Sequence, residues 1–302
     1  TASFKVNTPG GTLKMVKTSE DGSVEGIEMT IKGDGFIKTV TTGKNGEVSV
    51  EGLIPGTYTV TEAVADFYEP QKEQKVTITS GETATVKFAN TLKRGDLSVA
   101  KTSEDGFTEN MKFHIYGISA SGAKVDLYAT TDANGIATFK DVLIAGVSGH
   151  TLEEIETAIR YVIPENQSVT VAWKKVTGAT FENRLKKFNV TLVKKDAETK
   201  KPQGDAKLSG AVYGLYKDGV LVATYTTNEN GSFTTDYYEC GNTWTIREIT
   251  PSEGYLLDEE EYHVGAELEN YEVEFNSAPA ITSPEEVIKG NVAIIKHSGD
   301  GS

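Results

Sequence analysis

The sequence predicts an all-β chain of tandem antiparallel β-sandwich domains with an immunoglobulin-like arrangement, and three observations support this fold class. Val, Ile, Thr, Tyr and Phe are dense along the chain, and apolar residues alternate with polar ones at the period of a strand. Asn-Gly turns recur between such segments, and they are strong hairpin signals. Similar blocks recur at intervals too long for a solenoid, so we interpret them as separate domains.

The 302 residues accommodate three such domains, which we place at residues 11–92, 95–185 and 187–278. Residues 1–10 look like the end of a preceding domain or a linker, and residues 288–302 look like the start of a truncated fourth domain. The connections between domains are only a few residues long. We therefore expect little hinge motion and a rod of domains.

Each domain begins with a strand that ends in a lysine. The segment Thr-Ser-Glu-Asp-Gly follows Lys17, recurs unchanged after Lys101, and has a looser relative after Lys194. Apolar alternation places each lysine on the buried face of its strand. A lysine is rarely buried alone, because removing its ammonium group from water is costly. The three lysines therefore predict polar partners inside each domain.

The middle domain departs from its neighbours in one segment. Thr151 and Glu154 form a capping box, the signature of a helix start. The apolar residues that follow at helical spacing are Leu152, Ile155 and Ile159. We therefore expect one short helical insertion over residues 151–159.

Composition and charge exclude several classes of function. The net charge of −14 argues against binding to nucleic acid or to an anionic membrane surface. No apolar stretch is long enough to insert into a membrane. The single cysteine, Cys240, excludes an intrachain disulfide and is best interpreted as a packing or surface residue. The four histidines show no metal-binding spacing, so we expect no metal and no cofactor.

Two further strands of each domain end in a polar residue on the inward face. One strand ends in a glutamate, and these glutamates are Glu62, Glu165 and Glu248. The last strand carries an asparagine, and these are Asn90, Asn183 and Asn276. Asn276 follows a phenylalanine by one residue, whereas the other two follow theirs by two. Simple alternation turns Asn276 outward, and a β-bulge would restore its direction.

The three residue types together predict a self-crosslinking reaction. Burial lowers the pKa of a lysine and raises that of a glutamate, so a neutral amine can face a neutral carboxylic acid. A neutral amine is a nucleophile, and a carboxamide polarised by the acid is its electrophile. Attack with loss of ammonia leaves an amide crosslink. A buried salt bridge with an asparagine hydrogen-bond partner uses the same residues without bond formation, and both readings stay open.

The segments resemble the B-type (prealbumin-like) repeats of the collagen-adhesin family, found in Gram-positive adhesins and sortase-assembled pilins. Trp244-Thr-Ile-Arg-Glu248 followed by Pro251-Ser-Glu-Gly-Tyr255 is similar to the glutamate box of that family, while Glu62 and Glu165 match its first half. The resemblance implies Lys–Asn isopeptide bonds promoted by the glutamates. It pairs Lys17 with Asn90, Lys101 with Asn183, and Lys194 with Asn276.

These features favour a structural stalk segment of an extracellular, wall-anchored adhesin or pilin-like protein. Neighbouring domains of the same chain are its expected partners, and the crosslinking is a single turnover rather than enzymatic activity. The alternative is a module that binds a host matrix protein or a glycan, with residues 148–160 as the candidate surface. A third reading is an accessory domain of a secreted carbohydrate-active enzyme.

Overall fold

The computed structural model describes residues 9–296 and residue 299, and the described chain is all-β apart from one 3₁₀ turn. The predicted fold class is confirmed. The strands fall into three repeats. By compactness the chain divides into two units, one comprising Thr1–Ala100, Lys112–Ile155 and Glu165–Thr180, and the other Lys101–Met111, Glu156–Pro164 and Phe181–Ser302.

The first repeat consists of two sheets. Its strands are β1 (Gly11–Ser19), β2 (Glu28–Gly33), β3 (Phe36–Thr41), β4 (Glu47–Leu53), β5 (Gly56–Glu62), β6 (Gln74–Ile78) and β7 (Thr83–Asn90). One sheet has the order β4-β1-β7 and the other β3-β2-β5-β6. Strand β1 is antiparallel to β4 but parallel to β7. The first and last strands of the repeat are therefore direct neighbours.

Alternation along β1 builds one side of the core of this repeat. Leu13 and Met15 are fully buried, and Lys17 is the next residue on the same face. They pack in a cluster with residues of the facing sheet, including Met29 and Val60. The predicted buried face of the lysine-ending strand is confirmed, and Lys17 extends an otherwise apolar row.

The second repeat has the same strand order. Its strands are β8 (Arg94–Ser103), β9 (Lys112–Ile118), β10 (Lys124–Thr130), β11 (Ile136–Leu143), β12 (His150–Ile155), β13 (Gln167–Val169) and β14 (Val176–Asn183). The sheets are ordered β11-β8-β14 and β10-β9-β12-β13.

The predicted helix over residues 151–159 is wrong, because the first part of this segment is strand β12. Its side chains alternate in burial, with His150, Leu152 and Glu154 on the buried face. Since β12 lies between β9 and β13, residues 148–160 are no insertion, and deleting them would remove an internal strand. Binding of a host ligand remains a prediction.

The third repeat keeps this arrangement with its first sheet interrupted. Its elements are β15 (Lys187–Asn189), β16 (Thr191–Asp196), β17 (Val212–Lys217), β18 (Val220–Thr226), β19 (Ser232–Thr234), β20 (Tyr238–Glu239), β21 (Trp244–Thr250), β22 (Glu261–His263), a 3₁₀ turn (Leu268–Asn270), β23 (Phe275–Ser277) and β24 (Ile281–Glu285). The sheets are ordered β20-β15-β23, β19-β16-β24 and β18-β17-β21-β22.

The last strand of the third repeat is thus split into β23 and β24. Because β24 pairs in parallel with β16, the repeat extends past the predicted boundary at residue 278. Within the predicted start of a fourth domain at residues 288–302, residues 288–296 have no regular secondary structure, and Val292 and Ile294 are exposed. Residues 297–298 and 300–302, and residues 1–8 of the predicted preceding domain, lie outside the described residues.

Candidate functional site

Lys17 lies at the end of β1 with its side chain shielded from solvent. Its Nζ lies 3.3 Å from Glu62 Oε1, and both side chains have no exposed surface. Nζ also donates a hydrogen bond to the Thr18 carbonyl oxygen, at 2.7 Å. Burial lowers the pKa of the Lys17 ammonium group, and the charge of Glu62 and its hydrogen bond offset this only in part. A lowered pKa increases the fraction of neutral amine.

Asn90 completes the group from the end of β7. Its Nδ2 donates a hydrogen bond to Glu62 Oε1, at 2.8 Å, so one carboxylate oxygen contacts both the amine and the carboxamide. Within the described residues, no hydrogen-bond partner is found for Glu62 Oε2 or for Asn90 Oδ1. Such buried, unsatisfied atoms are rare in folded proteins, and a catalytic role is one of the explanations for them. The structure therefore brings together the amine, acid and carboxamide that were predicted for the first repeat.

In the second repeat, Glu165 is exposed and does not occupy the position that Glu62 has in the first. The register identifies a different residue. In the first repeat Glu62 on β5 pairs with Met29 on β2, and in the second Glu154 on β12 pairs with Phe113 on β9. Glu154 is also buried. In the second repeat, the position that Glu62 has in the first is therefore held by Glu154 and not by the predicted Glu165.

The spacing between the glutamate and a later tyrosine marks Glu154 in the sequence. A buried tyrosine follows each glutamate by six or seven residues and forms an isolated bridge to a residue just after the last strand. These bridges are Tyr68 to Leu92, Tyr161 to Leu185, and Tyr255 to Val287. Glu165 follows Tyr161 by four residues, as Glu62 follows Tyr58, but the bridges show that Tyr161 is the counterpart of Tyr68. Counting back from Tyr161 leads to Glu154.

The other two predicted residues of the second repeat occupy the expected positions. Lys101 and Asn183 are both buried. Lys101 Nζ donates to the carbonyl of its next residue at 2.8 Å, as Lys17 does. The Glu104 amide donates to the Asn183 carbonyl, at 3.1 Å, just as the Glu20 amide donates to that of Asn90. The ends of strands β8 and β14 therefore repeat the register of β1 and β7.

In the third repeat, Asn276 is not near Lys194 along the ladder. Asn276 lies on β23 opposite Phe188, and its Nδ2 donates to the carbonyls of Lys187 and Val273. The split of the last strand explains the error, because Asn276 belongs to its first half and Lys194 pairs with its second half. The structure therefore does not bring Lys194 and Asn276 together as predicted.

Glu285 occupies in the third repeat the position that Asn90 occupies in the first. In the first repeat Asn90 lies opposite Ser19, two residues beyond Lys17. In the third, Glu285 lies opposite Asp196, two residues beyond Lys194. Glu285 also precedes Val287 in the tyrosine bridge by two residues, as Asn90 precedes Leu92. A carboxylate thus replaces the carboxamide.

Lys194 lies between two carboxylates. Its Nζ is 2.8 Å from Glu248 Oε1 and 2.6 Å from Glu285 Oε2, and all three side chains have no exposed surface. Burial raises the pKa of Glu248, against the hydrogen bond from Lys194, and the charge of Glu285 adds to the rise. Glu248 is thus confirmed next to Lys194, but without an asparagine.

A tyrosine-to-aspartate hydrogen bond recurs in all three repeats and was missed in the sequence. The aspartate lies two to four residues after the lysine of the first strand, and the tyrosine follows the glutamate strand. The pairs are Tyr68 with Asp21 (2.7 Å), Tyr161 with Asp105 (2.6 Å) and Tyr255 with Asp196 (3.3 Å). This bond joins the end of the lysine strand, or the turn directly after it, to the loop that follows the glutamate strand.

Asp196, the third of these aspartates, should make the folded protein less stable in acid. The amide of Thr199, with further donors from Gln203 and Glu198, holds the pKa of Asp196 at about 2, below its ordinary value near 3.9. Because the folded-state pKa is depressed, the stabilisation is complete above about pH 4 and is lost as the pH falls towards 2. Urea midpoints measured across this window by the fluorescence of Trp244 should fall more steeply in the wild type than in Asp196→Asn.

One glutamate in each of the first two repeats binds the connection to the next. Glu20 accepts hydrogen bonds from the Leu92 amide and the Arg94 guanidinium group, both at 3.0 Å. The counterpart Glu104 has two donors, the Leu185 amide at 2.7 Å and Lys187 Nζ at 2.8 Å. Each connection is therefore attached to the end of the repeat that precedes it.

The remaining observations concern a membrane span, a metal site and the single cysteine. Across the part of the chain that the structure describes, no helix is long and apolar enough to cross a bilayer. Among the same residues, no group of three or more histidine, cysteine or acidic side chains is arranged to hold a metal ion. Cys240 packs in the core of the third repeat, and burial raises the pKa of its thiol to about 11. It is therefore protonated and unreactive at neutral pH.

Comparisons with known proteins agree with this architecture. The structure of the Bacillus anthracis TIE protein aligns with 92% of this chain over 51% of its own length, at 23% identity and a TM-score of 0.64. The major pilin subunit BcpA of Bacillus cereus aligns over its entire length with 92% of this chain, at 15% identity and a TM-score of 0.50. At these identities the likeness shows the fold.

A curated relative is the serine-aspartate repeat-containing protein F of Staphylococcus epidermidis, 25% identical over 270 residues. The match covers 75% of this chain but only 15% of that protein. The family described as the SpaA prealbumin-like fold domain matches residues 11–92 and 188–279, which together make up more than half of the chain. The resemblance to prealbumin-like domains is thereby confirmed, and the chain belongs to the SpaA prealbumin-like fold domain family.

Proposed function

We propose that this chain is a stalk segment of a Gram-positive surface adhesin or pilin-like protein, in which autocatalytic Lys–Asn isopeptide bonds close the first and second repeats. One observation carries the proposal. Lys17 Nζ and Asn90 Nδ2 lie 3.3 and 2.8 Å from the same oxygen of Glu62, inside a site that excludes water.

The reaction balances with these three groups alone. Within the buried pair, a proton passes from the Lys17 ammonium group to Glu62, leaving a neutral amine and a neutral acid. The amine attacks Cγ of Asn90, and Glu62 delivers a proton to Nδ2 and removes one from Nζ. Ammonia leaves, and an amide joins the two side chains. Holding the groups together can supply about 7–11 kcal/mol of the barrier.

The position of the bond suits a stalk. Lys17 lies near the end of the first strand and Asn90 at the end of the last, and these strands are parallel neighbours. A pull on the two ends of the repeat passes through this bond and leaves the residues between them unloaded. Similarity to surface and pilin proteins supports an extracellular location and neighbouring domains as partners. Wall anchoring is part of the proposal.

Intact mass tests the proposal directly. Each bond releases one ammonia, so the purified wild-type chain should be lighter than its sequence mass by about 34 Da. Peptide mapping should assign one bond to Lys17 and Asn90 and the other to Lys101 and Asn183. A mass equal to the sequence mass would contradict the proposal and leave buried ion pairs as the explanation of the site.

Glu62→Ala should remove the first bond alone, because the amine then lacks its proton acceptor. The expected deficit is about 17 Da, all of it in the second repeat. Glu51→Ala, which removes an exposed carboxylate from the same repeat, is the matched control and should keep both bonds. If Glu62→Ala keeps the full deficit, the assigned role of Glu62 is wrong.

The second repeat offers its own test between two glutamates. We propose that Glu154 promotes the bond between Lys101 and Asn183, because Glu154 is buried and in the register of Glu62, whereas Glu165 is exposed. Glu154→Ala should lower the deficit to about 17 Da, and Glu165→Ala should leave about 34 Da. The reverse result would restore Glu165.

A further inference from the structure

The third repeat has the lysine and the glutamate of the crosslinking site but a different third residue. Glu285 holds the ladder position of Asn90, as the parallel registers of β16 with β24 and β1 with β7 show. Its carboxylate reaches Lys194 Nζ at 2.6 Å. The position on the ladder is therefore preserved, and a carboxylate replaces the carboxamide.

The second carboxylate gives the lysine of the third repeat a second anionic partner. In the first repeat one carboxylate faces Lys17, so a single proton transfer leaves both groups neutral. In the third repeat Glu248 and Glu285 both contact Lys194, and either of them stabilises the ammonium form. An ammonium group has no lone pair with which to attack a carbonyl carbon.

Hydrogen-bond donors also surround the carboxylate of Glu285. Tyr213 donates a hydrogen bond to Glu285 Oε1 at 2.8 Å, and the Ser283 hydroxyl lies 2.5 Å from the same oxygen. Donors to a carboxylate favour its anion, which is a poor electrophile. The Asp258 amide donates to Glu248 Oε2, at 2.8 Å. Both carboxylates are thus hydrogen-bonded as acceptors, as a lasting buried ion cluster requires.

We propose that the third repeat is closed by a reversible Lys194–Glu248–Glu285 ion cluster and contains a latent crosslinking site that Glu285→Asn activates. The second half of this statement rests on the proposed function of the first repeat. In the variant, Lys194 Nζ forms a bond to Cγ of Asn at position 285, Glu248 transfers the protons, and ammonia leaves. Tyr213 and Ser283 then face the carboxamide oxygen and polarise it.

The consequence for the chain is a mixture of two kinds of repeat. The first and second repeats are permanently closed, whereas the third opens and closes again without breaking a covalent bond. A stalk of this composition is inextensible in two repeats and yields in one. Unlike a broken crosslink, the ion cluster reforms when the repeat refolds.

Peptide mapping of two proteins tests the proposal. In the wild type, the peptides that contain Lys194 and Glu285 should be separate and unmodified. In Glu285→Asn they should be joined, and the total deficit should rise from about 34 to about 51 Da. Adding Glu248→Ala to this variant should return the deficit to about 34 Da.

Every other outcome contradicts one part of the proposal. Wild-type peptides joined with loss of water, about 18 Da, would show a Lys194–Glu285 amide and overturn the ion cluster. Unlinked peptides in a protease-resistant Glu285→Asn variant, with Lys17 and Asn90 joined in the same molecules, would overturn the latent site alone. Unlinked Lys17 and Asn90 would instead overturn the proposed function and the latent site with it.

A second measurement applies if Glu285→Asn does not fold. The wild-type third repeat should unfold in urea and regain its Trp244 fluorescence on dilution, with unchanged mass, because Trp244 is buried in its core. A third repeat that keeps its buried fluorescence at every urea concentration, with Lys194 and Glu285 in one crosslinked peptide, would overturn the reversible cluster.

Discussion

Pulled by its two ends, the wild-type chain should lengthen in a single unfolding step that comes from the third repeat. Strands β15 to β24 hold about 100 residues, and at about 3.4 Å each they release about 340 Å of chain. The first and second repeats should add no step, because the pull passes through the isopeptide bonds that we propose for them. Single-molecule force spectroscopy counts the steps and measures their lengths.

Replacing Lys17, the lysine of the proposed bond in the first repeat, should add a second step. Without its bond, Lys17→Met transfers the load to the hydrogen bonds between β1 and β7, and about 80 residues then release about 270 Å. The same variant should unfold more easily in denaturant, since closing a loop of about 70 residues is worth about 4 kcal/mol in the chain-entropy description.

The neighbouring Lys14 provides the matched control. It lies on the opposite face of β1, partly exposed and paired with Glu47. Lys14→Met removes the same charge from the same strand but leaves the crosslink in place, so it should show one step. Two steps in the wild type, or one step in Lys17→Met, would show that the bond does not carry the load.

The first repeat was predictable because its polar site residues occupy positions that the strand period fixes. Leu13 and Met15 mark the buried face of β1, and alternation extends that face to Lys17. The same reasoning places Glu62 and Asn90 at strand ends that face inward. Distances within the group were not predictable, because they depend on how the two sheets pack.

In the second repeat, polar residues on the buried face of a strand prevented its prediction from the sequence. In β12 the buried face consists of His150, Leu152 and Glu154, and only one of these is apolar. A strand with two polar residues on its inner face lacks the alternation that predicts it, and the spacing of Leu152 and Ile155 matches a helix by chance. Glu154, the glutamate that we infer to be reactive, is therefore one of the residues that made strand β12 hard to predict.

The third repeat shows how an interrupted strand misleads a search for the last asparagine. The segment around Asn276 has the composition expected of a last strand, and it does pair with β15. The chain then leaves the ladder and returns as β24, which ends in Glu285. A search for asparagine could not find a position held by glutamate, although the spacing to Val287 marks it.

Removing the lysine of the third repeat should destabilise that repeat strongly. Lys194→Met fills a similar volume but leaves Glu248 and Glu285 buried against each other without a positive charge. Breaking a buried ion pair by removal of one partner costs about 3–5 kcal/mol. The expected result is a large fall in the urea midpoint of Trp244 fluorescence, with the crosslinks of the other repeats still present by mass.

Two comparisons separate the charge from the packing. Lys195→Met removes the adjacent, exposed lysine of β16 and should leave the midpoint almost unchanged. Lys194→Met combined with Glu285→Leu removes one charge of each sign, so it should recover part of the loss, because apolar replacement of both partners of a buried pair is often tolerated. If the double variant is no more stable than Lys194→Met, unpaired charge is not what destabilises the single variant. The cost would then lie in the packing around Lys194, and a reversible ion cluster would not be what closes this repeat.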